Sequence, residues 1–229
     1  MSLATQTTTE LIEADRRQRR LNRSLRLLND SSDALVRARD EQTLLSDICR
    51  LVIEKGGYLM AWIGYAETDA EQRVRPVAQC GGEEGYLESV SISWDASRAD
   101  GRGPTGTAIR TGTTQINQNV LTNPVMAPWR EEASKRGYQS SIALPLIGQR
   151  QTLGALMLYA ADPEAFGGEE VHLLEELSRN LAFGIEALRS RVQRIAAGGR
   201  GRRGAGCSRA ECRRAGTSAA PPRRGSNRP

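Results

Sequence analysis

Helices with one apolar face are predicted near both ends of the chain, because large apolar residues recur there every three, four or seven positions. The first such face comprises Leu21, Leu25, Leu28 and Leu35. The last comprises Leu174, Leu177, Leu181, Ile185, Leu188 and Val192. A residue returns to the same face of a helix after three or four positions. Another amphipathic helix is predicted over residues 40–55, where Gly56 and Gly57 supply a stop signal. The cluster 29–32 (Asn-Asp-Ser-Ser) favours helix caps and bends the first helix or begins the next.

Between these helices the pattern changes to short apolar runs that are typical of β-strands. Six strands are predicted, at Tyr58–Ala66, Arg73–Cys80, Ser89–Trp94, Thr114–Ile116, Ser140–Ile147 and Thr152–Ala160. In the first strand, Leu59, Ala61, Ile63 and Tyr65 alternate with Met60, Trp62 and Gly64. Both sets are largely apolar, and the last two strands are alike. Strands that are apolar on both faces belong to the middle of a sheet covered on both sides.

The pattern therefore predicts an α/β fold, with a mixed, mostly antiparallel sheet of about six strands and helices on both faces. The helices from the two ends of the chain cover one face of the sheet. Segment 81–137 covers the other face, with helical pieces expected at Gly103–Gly112 and around Trp129–Arg136. Because this second cover is rich in loops and glycine, we expect a pocket beneath it.

Three segments carry a resemblance to a known family. They read GGYLMAWIGYAE at 56–67, GYQSSIALPL followed by TLGALMLYA within 137–160, and AFGGEEVHLLEEL at 165–177. The order and the amino-acid sequences of these segments resemble those of the GAF domain, the sensory module of bacterial signalling proteins. Over residues 30–193 the resemblance implies a regulatory domain that binds a small molecule. Such domains adjoin PAS modules, histidine kinases or cyclic-di-GMP enzymes. Because the fold serves many ligands, the resemblance names neither a ligand nor a cofactor.

The resemblance also implies which residues line the pocket. Positions that match the pocket region of the family, on the strand face opposite the terminal helices, are Trp62, Cys80, Tyr86, Trp94, Thr105, Ile109, Ser141 and Met157. These are the candidate ligand-binding residues.

For several ligands that members of the family bind, this sequence lacks the residues that hold the ligand. The Asn-Lys pair of cyclic-nucleotide-binding relatives is missing at the matching place, and Cys80 has no neighbouring His for a covalent bilin. The single histidine, His172, is expected on the surface of the last helix, which leaves haem without an axial ligand. Segment Gly101–Gly106 lacks the lysine and spacing of a phosphate-binding Walker loop, but a helix start there suits a small anion.

The segment GGEEV at 167–171 differs at one position from the GGEEF motif of diguanylate cyclases. Leucines at helical spacing follow it, so Glu169 and Glu170 are predicted in the first turn of the last helix, where acidic residues favour the helix dipole. We therefore predict no cyclase site here.

The cysteines raise an alternative function, a thiol enzyme resembling free methionine sulfoxide reductase. That chemistry needs an attacking thiolate and normally a resolving thiol. Within the fold only Cys49 and Cys80 are available, and Cys49 shares an apolar helix face with Ile48 and Val52. No metal-ligand spacing and no catalytic acid–base pair is recognisable, so no catalytic activity is predicted. A further alternative is a dimerisation scaffold whose pocket is filled by Trp62 and Met157.

Charge divides the chain into parts. Residues 194–229 carry ten Arg and one Glu, so the net charge of +5 becomes −4 over residues 1–193. A tail of Arg, Gly, Ala and Pro buries no core and is predicted to be disordered. Arg, Gly, Ala and Pro all have GC-rich codons, so an out-of-frame reading of GC-rich DNA would give such a tail, and our hypothesis is a frameshifted or otherwise non-native end. The alternative is an Arg-rich arm for nucleic acid or acidic lipid. We predict a helical lead-in for dimerisation at 1–29, a sensor domain at 30–193 and this tail at 194–229.

Location and partners follow from what the sequence contains. No apolar run approaches the roughly 18 residues that span a bilayer, and Met1–Glu10 lacks the apolar stretch of a secretory signal. We expect a cytoplasmic protein with no membrane or nucleic-acid partner. The expected partners are an unidentified small molecule and a second copy of the chain. The faces Leu21–Leu28 and Leu181–Val192 extend beyond one small sheet, which predicts a homodimer through the terminal helices.

Overall fold

The computed structural model of the protein describes residues 3–82 and 85–207. Contacts divide the chain into two units, Met1–Leu188 and Arg189–Pro229. The helices are α1 (Leu3–Arg37), α2 (Glu41–Glu54), α3 (Tyr86–Ser89), α4 (Pro104–Thr111), α5 (Arg130–Lys135) and α6 (Gly168–Cys207). The strands are β1 (Met60–Ala66), β2 (Val74–Gly81), β3 (Gln115–Asn117), β4 (Ser140–Ile147) and β5 (Thr152–Ala160). A 3-10 turn lies at Pro124–Met126.

The five strands form one sheet in the order β2-β1-β5-β4-β3. Every neighbouring pair is antiparallel. The three inner strands, β1, β5 and β4, are buried along most of their length. The predicted α/β fold is therefore confirmed, with five strands among the described residues in place of about six.

The predicted strand at Ser89–Trp94 is wrong. Its only sheet contact among the described residues is an isolated bridge between Arg73 and Ser93. The hydroxyl of Ser93 donates to the carbonyl oxygens of Glu71 and Gln72, both at 3.0 Å. Such side-chain bonds compete with a strand ladder for backbone partners. The segment therefore crosses the start of β2 once and does not extend the sheet.

Two cores lie on the two faces of the sheet. The helix-side core joins the inner faces of α1, α2 and α6 to one set of strand residues, for example Leu27, Ile48, Ile63, Leu156 and Leu177. The loop-side core joins α3, α4 and the surrounding loops to the alternate set, for example Trp62, Tyr86, Ala108, Met157 and Tyr159. This arrangement confirms the prediction that the terminal helices cover one face and segment 81–137 the other.

Local signals fix the ends of the helices next to these cores. The Asp40 carboxylate caps α2 by accepting from the Thr43 amide at 2.8 Å, and this hydrogen bond lowers the pKa of Asp40. Helix α4 begins with Pro104 after Gly103 and is capped after Thr111 by Gly112, whose φ of 64° is in the left-handed region that favours glycine. The predicted helix at Gly103–Gly112 is thus confirmed within one residue at each end.

Two predicted boundaries fall inside helices. Helix α1 continues through residues 29–32, so no new helix begins at that polar cluster. Residues 194–207 belong to α6, where the sequence analysis predicts disorder. The rest of the predicted tail, 208–229, lies outside the described residues.

Candidate functional site

A small cavity lies between the start of α4 and the loop-side face of β4 and β5. Its floor is formed by Ser141, Met157 and Tyr159, and its roof includes Thr105 and Trp129. The cavity has a volume of about 20 Å³, which is room for about one water molecule. Side chains therefore fill most of this site in the present conformation.

Three tyrosines form the aromatic end of the cavity region. The ring of Tyr86 meets those of Tyr138 and Tyr159 edge-on, with centroids 5.7 Å apart in both pairs. The Tyr138 hydroxyl donates to the carbonyl of Gly82, which ties the segment before β4 to the residue after β2. Burial raises the pKa of Tyr86 and of Tyr159, so both remain neutral phenols. The Arg136 guanidinium lies 5.4 Å from the Tyr86 ring centroid and covers this wall from outside.

The polar end of the cavity is built from hydroxyl and amide groups. Ser141 is completely buried, and its Oγ accepts from the Asn117 amide nitrogen at 3.4 Å. Asn117 is held in turn by Asn123, whose amide nitrogen donates to it at 2.9 Å. Thr105, in the first turn of α4, is 5% exposed. These groups offer hydrogen bonds to a ligand without supplying a charge.

Glycine allows α4 to approach the loop of residues 93–101 closely at this point. A Cβ atom on Gly106 would lie 2.5 Å from the Ser93 carbonyl oxygen and 2.4 Å from that of Gly101. Both atoms belong to the backbone, which cannot rotate away. The Arg110 guanidinium fixes the same loop by donating to the carbonyl oxygens of Trp94 and Gly101. The roof of the cavity is therefore positioned by backbone contacts.

One acidic residue, Asp100, lies in the cavity lining. Its carboxylate accepts two hydrogen bonds at 2.9 Å from the Arg98 guanidinium and one at 3.0 Å from the Ser91 hydroxyl. These bonds, with that from Arg98 the largest cause, lower the pKa of Asp100. Asp100 is thus an ionised group at the edge of the site.

Four of the eight predicted site residues line the cavity. Those that line the cavity are Tyr86, Thr105, Ser141 and Met157. Trp62 and Ile109 are buried in the loop-side core, and Trp94 packs against it. Cys80 is misplaced by the prediction, because it packs against the helix-side core. It pairs with Ala61, which faces that core.

A β-bulge explains the error at Cys80. The pairing of β1 with β2 shifts between Ile63 and Gly64, so that Val77 has no partner of its own. One extra residue in a strand moves every later side chain to the other face. Val74 therefore faces the loop-side core, whereas Cys80, six positions later, faces the helix-side core.

Sequence reasoning missed several lining residues, among them Asp100, Met126, Trp129 and Tyr159. Tyr159 carried a usable signal, since it lies two positions after Met157 and so faces the same side of β5. Met126 and Trp129 lie on the 3-10 turn and the loop before α5, where no periodicity indicates a direction.

Cys49 and Cys80, the two cysteines within residues 30–193, lie away from the cavity. Cys49 is buried in α2, and Cys80 is half-buried on the same face of the sheet. Burial raises the pKa of Cys49 to about 12, with a smaller contribution from Cys80. A thiol with that pKa is almost entirely protonated at neutral pH and is a poor nucleophile.

The acidic motif at 167–171 forms part of the helical structure. Glu169 and Glu170 lie in the first turn of α6, which confirms the prediction. Glu170 is buried and accepts a hydrogen bond from the Tyr58 hydroxyl at 2.8 Å and one from the Ser24 hydroxyl at 3.4 Å. Burial raises the pKa of Glu170, against the lowering effect of Tyr58. Sequence reasoning did not anticipate this polar junction between α1, the segment before β1, and α6.

The single histidine, His172, lies outside the cavity. His172 is exposed on α6, as predicted, with Nδ1 3.5 Å from Glu175. The described residues contain no group of three or more His, Cys, Asp or Glu side chains placed to hold a metal ion. Within residues 3–82 and 85–207, no helix is long and apolar enough to cross a membrane.

Comparisons with known proteins agree on the architecture. The chain is similar to free methionine-R-sulfoxide reductase from Neisseria meningitidis in complex with its substrate, at 20% identity over 73% of this chain and 91% of that chain, with a TM-score of 0.61. It is also similar to the GAF domain of a phosphoenolpyruvate-protein phosphotransferase from Coxiella burnetii, at 17% identity over 76% and 98%, with a TM-score of 0.62. These likenesses concern the fold alone.

A third similar structure is the A. aeolicus nlh2 GAF domain in an inactive state, at 15% identity over 73% of this chain and 99% of that chain, with a TM-score of 0.57. No curated protein matches the sequence. The GAF domain family matches residues 38–186, which is more than half of the chain. Together with the antiparallel sheet, its two covered faces and the cavity under α4, this match shows that the chain belongs to the GAF domain family.

Proposed function

We propose that this protein is a regulatory sensor domain of a cytoplasmic bacterial signalling protein, and that it binds a small molecule between α4 and the sheet. The observation that carries the proposal is the cavity beneath α4, which combines apolar side chains such as Met157 with the hydroxyl groups of the buried residues Thr105 and Ser141. A concave apolar site with a few polar groups is the usual form of a small-molecule site.

The sheet supplies a route from this site to the terminal helices. In β5, Met157 and Tyr159 face the cavity, while Leu156 and Leu158 pack in the helix-side core with α1, α2 and α6. A ligand that displaces Met157 therefore acts on the same strand that supports α1 and α6. Close-packed interfaces pass small displacements on because they repack between discrete arrangements.

We also propose a homodimer through the terminal helices. Its contact surface contains fewer residues than the sequence predicts, because some of the predicted contact residues pack inside the domain. Leu181 is buried and Leu28 and Leu188 pack against the helix-side core, so these residues stabilise the domain itself. Leu25 in α1 and Phe183 in α6 are 42% and 64% exposed. Large apolar side chains at the surface are typical of association sites when they form a patch.

The positions of the cysteines support a sensor over a thiol enzyme. Cys49 and Cys80 lie on the helix-side face, whereas the cavity lies on the loop-side face. A thiol reaction at the cavity needs a thiolate that reaches the ligand, and neither Cys49 nor Cys80 lines the site.

The test is native mass spectrometry of the purified protein, followed by hydrogen exchange with and without any ligand found. We expect a bound small molecule that slows exchange in residues 86–94 and 101–119. Roughly 2.7 kcal/mol of added stability is expected at a hundredfold excess over the dissociation constant. Protection confined to residues 11–35, or no binding of any class of small molecule at the cavity, would overturn the proposal.

A further inference from the structure

We propose that Cys49 and Cys80 form an oxidation-sensitive pair, which a peroxide converts to a disulfide that joins α2 to the edge strand β2. The inference goes beyond the sensor function, because both thiols lie on the face of the sheet opposite the cavity. Three features carry it: the shared level of the two side chains between α2 and β2, their electrostatic coupling, and their unequal exposure to solvent.

One face of α2 lies along β2. At the start of α2, the Gln42 amide nitrogen donates to the carbonyl oxygen of Val77 at 2.9 Å. Near its end, the Cδ1 atom of Ile53 lies 3.1 Å from the position that a Cβ atom on Gly81 would take. Cys49 follows Gln42 by seven positions and precedes Ile53 by four, and both spacings return a residue to the same helix face. Cys49 therefore faces β2 between these two contacts.

Cys49 and Cys80 lie at the same level of this interface. At 1.5 Å per residue, Cys49 is about 10 Å along α2 from Gln42. At 3.3 Å per residue, Cys80 is about 10 Å along β2 from Val77, in the same direction. Cys80 packs against the helix-side core, to which Cys49 belongs. The two side chains thus face the same gap at one level, as a disulfide between them requires.

Electrostatic coupling supports this proximity. Burial is the larger cause of the raised pKa of Cys49, and the charge of Cys80 raises it further. The pKa of Arg50, the next residue of α2, is raised chiefly by Asp47 and to a small extent by Cys80. Effects of this kind act between groups that are close together. Cys80 is therefore within electrostatic reach of two consecutive residues of α2.

Exposure sets the order in which the two thiols react. Cys49 is completely buried, whereas Cys80 is half-buried on a strand at the edge of the sheet. A peroxide in solvent therefore reaches Cys80 and not Cys49. Cys80 is the thiol that is oxidised first, and Cys49 is the resolving thiol beside it.

The reaction balances with one molecule of hydrogen peroxide for each disulfide. The Cys80 thiolate attacks one peroxide oxygen, so that an S–O bond forms, the O–O bond breaks, and the other oxygen leaves as hydroxide and becomes water. The Cys49 thiolate then attacks the Cys80 sulfur, so that the S–S bond forms and the S–O bond breaks. The departing hydroxide takes the proton that Cys49 released and becomes the second water. Each sulfur loses one electron, and the peroxide gains two.

The second step is slow, because Cys49 has a pKa of about 12 and is almost entirely protonated at neutral pH. The fixed position of the two sulfur atoms offsets this disadvantage, since groups held side by side react as if at very high concentration. We therefore expect the disulfide to form over minutes to hours rather than seconds.

The disulfide acts on a helix that joins the sheet to a terminal helix. Helix α2 packs on β1 and β2 and also on α1. A covalent bond to β2 restricts how far α2 moves against α1. Disulfides that form in reducing compartments are usually transient and redox-sensing. The pair therefore gives the protein an input from oxidation that is separate from the cavity.

The test uses the full chain with Cys207→Ser and Cys212→Ser, in which Cys49 and Cys80 are the remaining thiols. The folded protein is treated with hydrogen peroxide, quenched with catalase and digested without reduction for mass spectrometry. We expect two peptides linked through Cys49 and Cys80, an intact mass lower by two hydrogen atoms, and reversal of both changes by dithiothreitol.

Two variants in the same background test the order of reaction. With Cys49→Ala, the exposed thiol has no partner, so Cys80 should stop at a sulfenic acid that dimedone traps. With Cys80→Ser, only the buried thiol remains, and it should stay reduced under the same treatment. The Cys80→Ser change replaces a half-buried side chain by one of similar shape, so this variant keeps the test decisive even where Cys49→Ala does not fold.

Two results would overturn the inference. One is oxidation of Cys80 to sulfinic or sulfonic acid with no link to Cys49 in the folded protein. The other is a link that joins two chains, seen as a covalent dimer on a non-reducing gel, or that forms only in protein unfolded by urea. Neither result bears on the sensor proposal, because neither thiol lines the cavity.

Discussion

The buried contact between Tyr58 and Glu170 offers the sharpest test of how the terminal helices are joined to the sheet. Its hydroxyl–carboxylate distance is 2.8 Å, and the Tyr58 ring stacks on Phe166 with centroids 5.7 Å apart. Tyr58→Phe keeps the stacked ring and removes only the hydrogen bond. The Ser24 hydroxyl, at 3.4 Å, remains as a longer donor to Glu170.

The expected loss depends on the charge of Glu170. A hydrogen bond to a charged group contributes about 1.5–3 kcal/mol to stability, and one between neutral groups about 0.5–1.5 kcal/mol. We therefore expect Tyr58→Phe to lower the free energy of unfolding by about 2 kcal/mol at neutral pH. The loss should be smaller in acid, where Glu170 is protonated.

The linkage between proton binding and folding predicts the same pH dependence of the stability loss. Burial raises the pKa of Glu170 above its value in the unfolded chain, so its contribution to stability is fully present below the unfolded pKa and is lost as pH rises through the folded pKa. The Tyr58 bond opposes that rise, and removing it raises the folded pKa further. The gap in stability between wild type and Tyr58→Phe therefore widens as pH increases.

The assay is urea denaturation of wild type, Tyr58→Phe, Glu170→Gln and the double variant, from about pH 4.5 to about pH 7.5, which spans the range above the usual Glu pKa. Tyr65→Phe is the matched control, because the Tyr65 hydroxyl donates at 2.6 Å to Glu41, which is only half-buried. Its loss should be smaller than that of Tyr58→Phe. A loss for Tyr58→Phe that is the same at every pH, or a coupling with Glu170→Gln below about 0.5 kcal/mol, would refute the reasoning.

Three further predictions concern association, packing and the C-terminal segment. Leu25→Glu combined with Phe183→Glu should give a folded monomer in sedimentation, since both side chains are exposed and neither holds the core; a monomeric wild type at tens of micromolar would contradict it. Gly106→Ala should lower stability by about 1–3 kcal/mol through backbone clashes, whereas Gly167→Ala, with no atom within 4 Å of its Cβ position, should be near neutral in the same denaturation assay. Deleting residues 195–229 should leave the melting temperature unchanged; a large drop in calorimetry would show that the segment packs on the rest of the protein.

Much of the architecture follows from local pattern. In β1 the alternation of Ala61 and Ile63 with Met60 and Trp62 predicts two covered faces, and the structure has them. Such predictions succeed because the two-residue period of a strand and the three-to-four-residue period of a helix are set by backbone geometry. The same local information places Thr105 at the start of a helix, since Pro104 and Gly112 mark its two ends.

The tertiary structure determines which side chains meet, and the local sequence pattern does not specify this. Cys80 changed faces because of one unpaired residue in β2, which no alternation reveals. Trp129 reached the cavity from a loop without periodicity, and Glu170 met Tyr58 across 112 positions of sequence. Contacts of this kind depend on where distant segments are packed together, and the cost of bringing them together is offset by the whole core rather than by the residues in contact. For this reason the sequence indicates which face of the sheet holds the site, and only the packed chain determines which side chains line it.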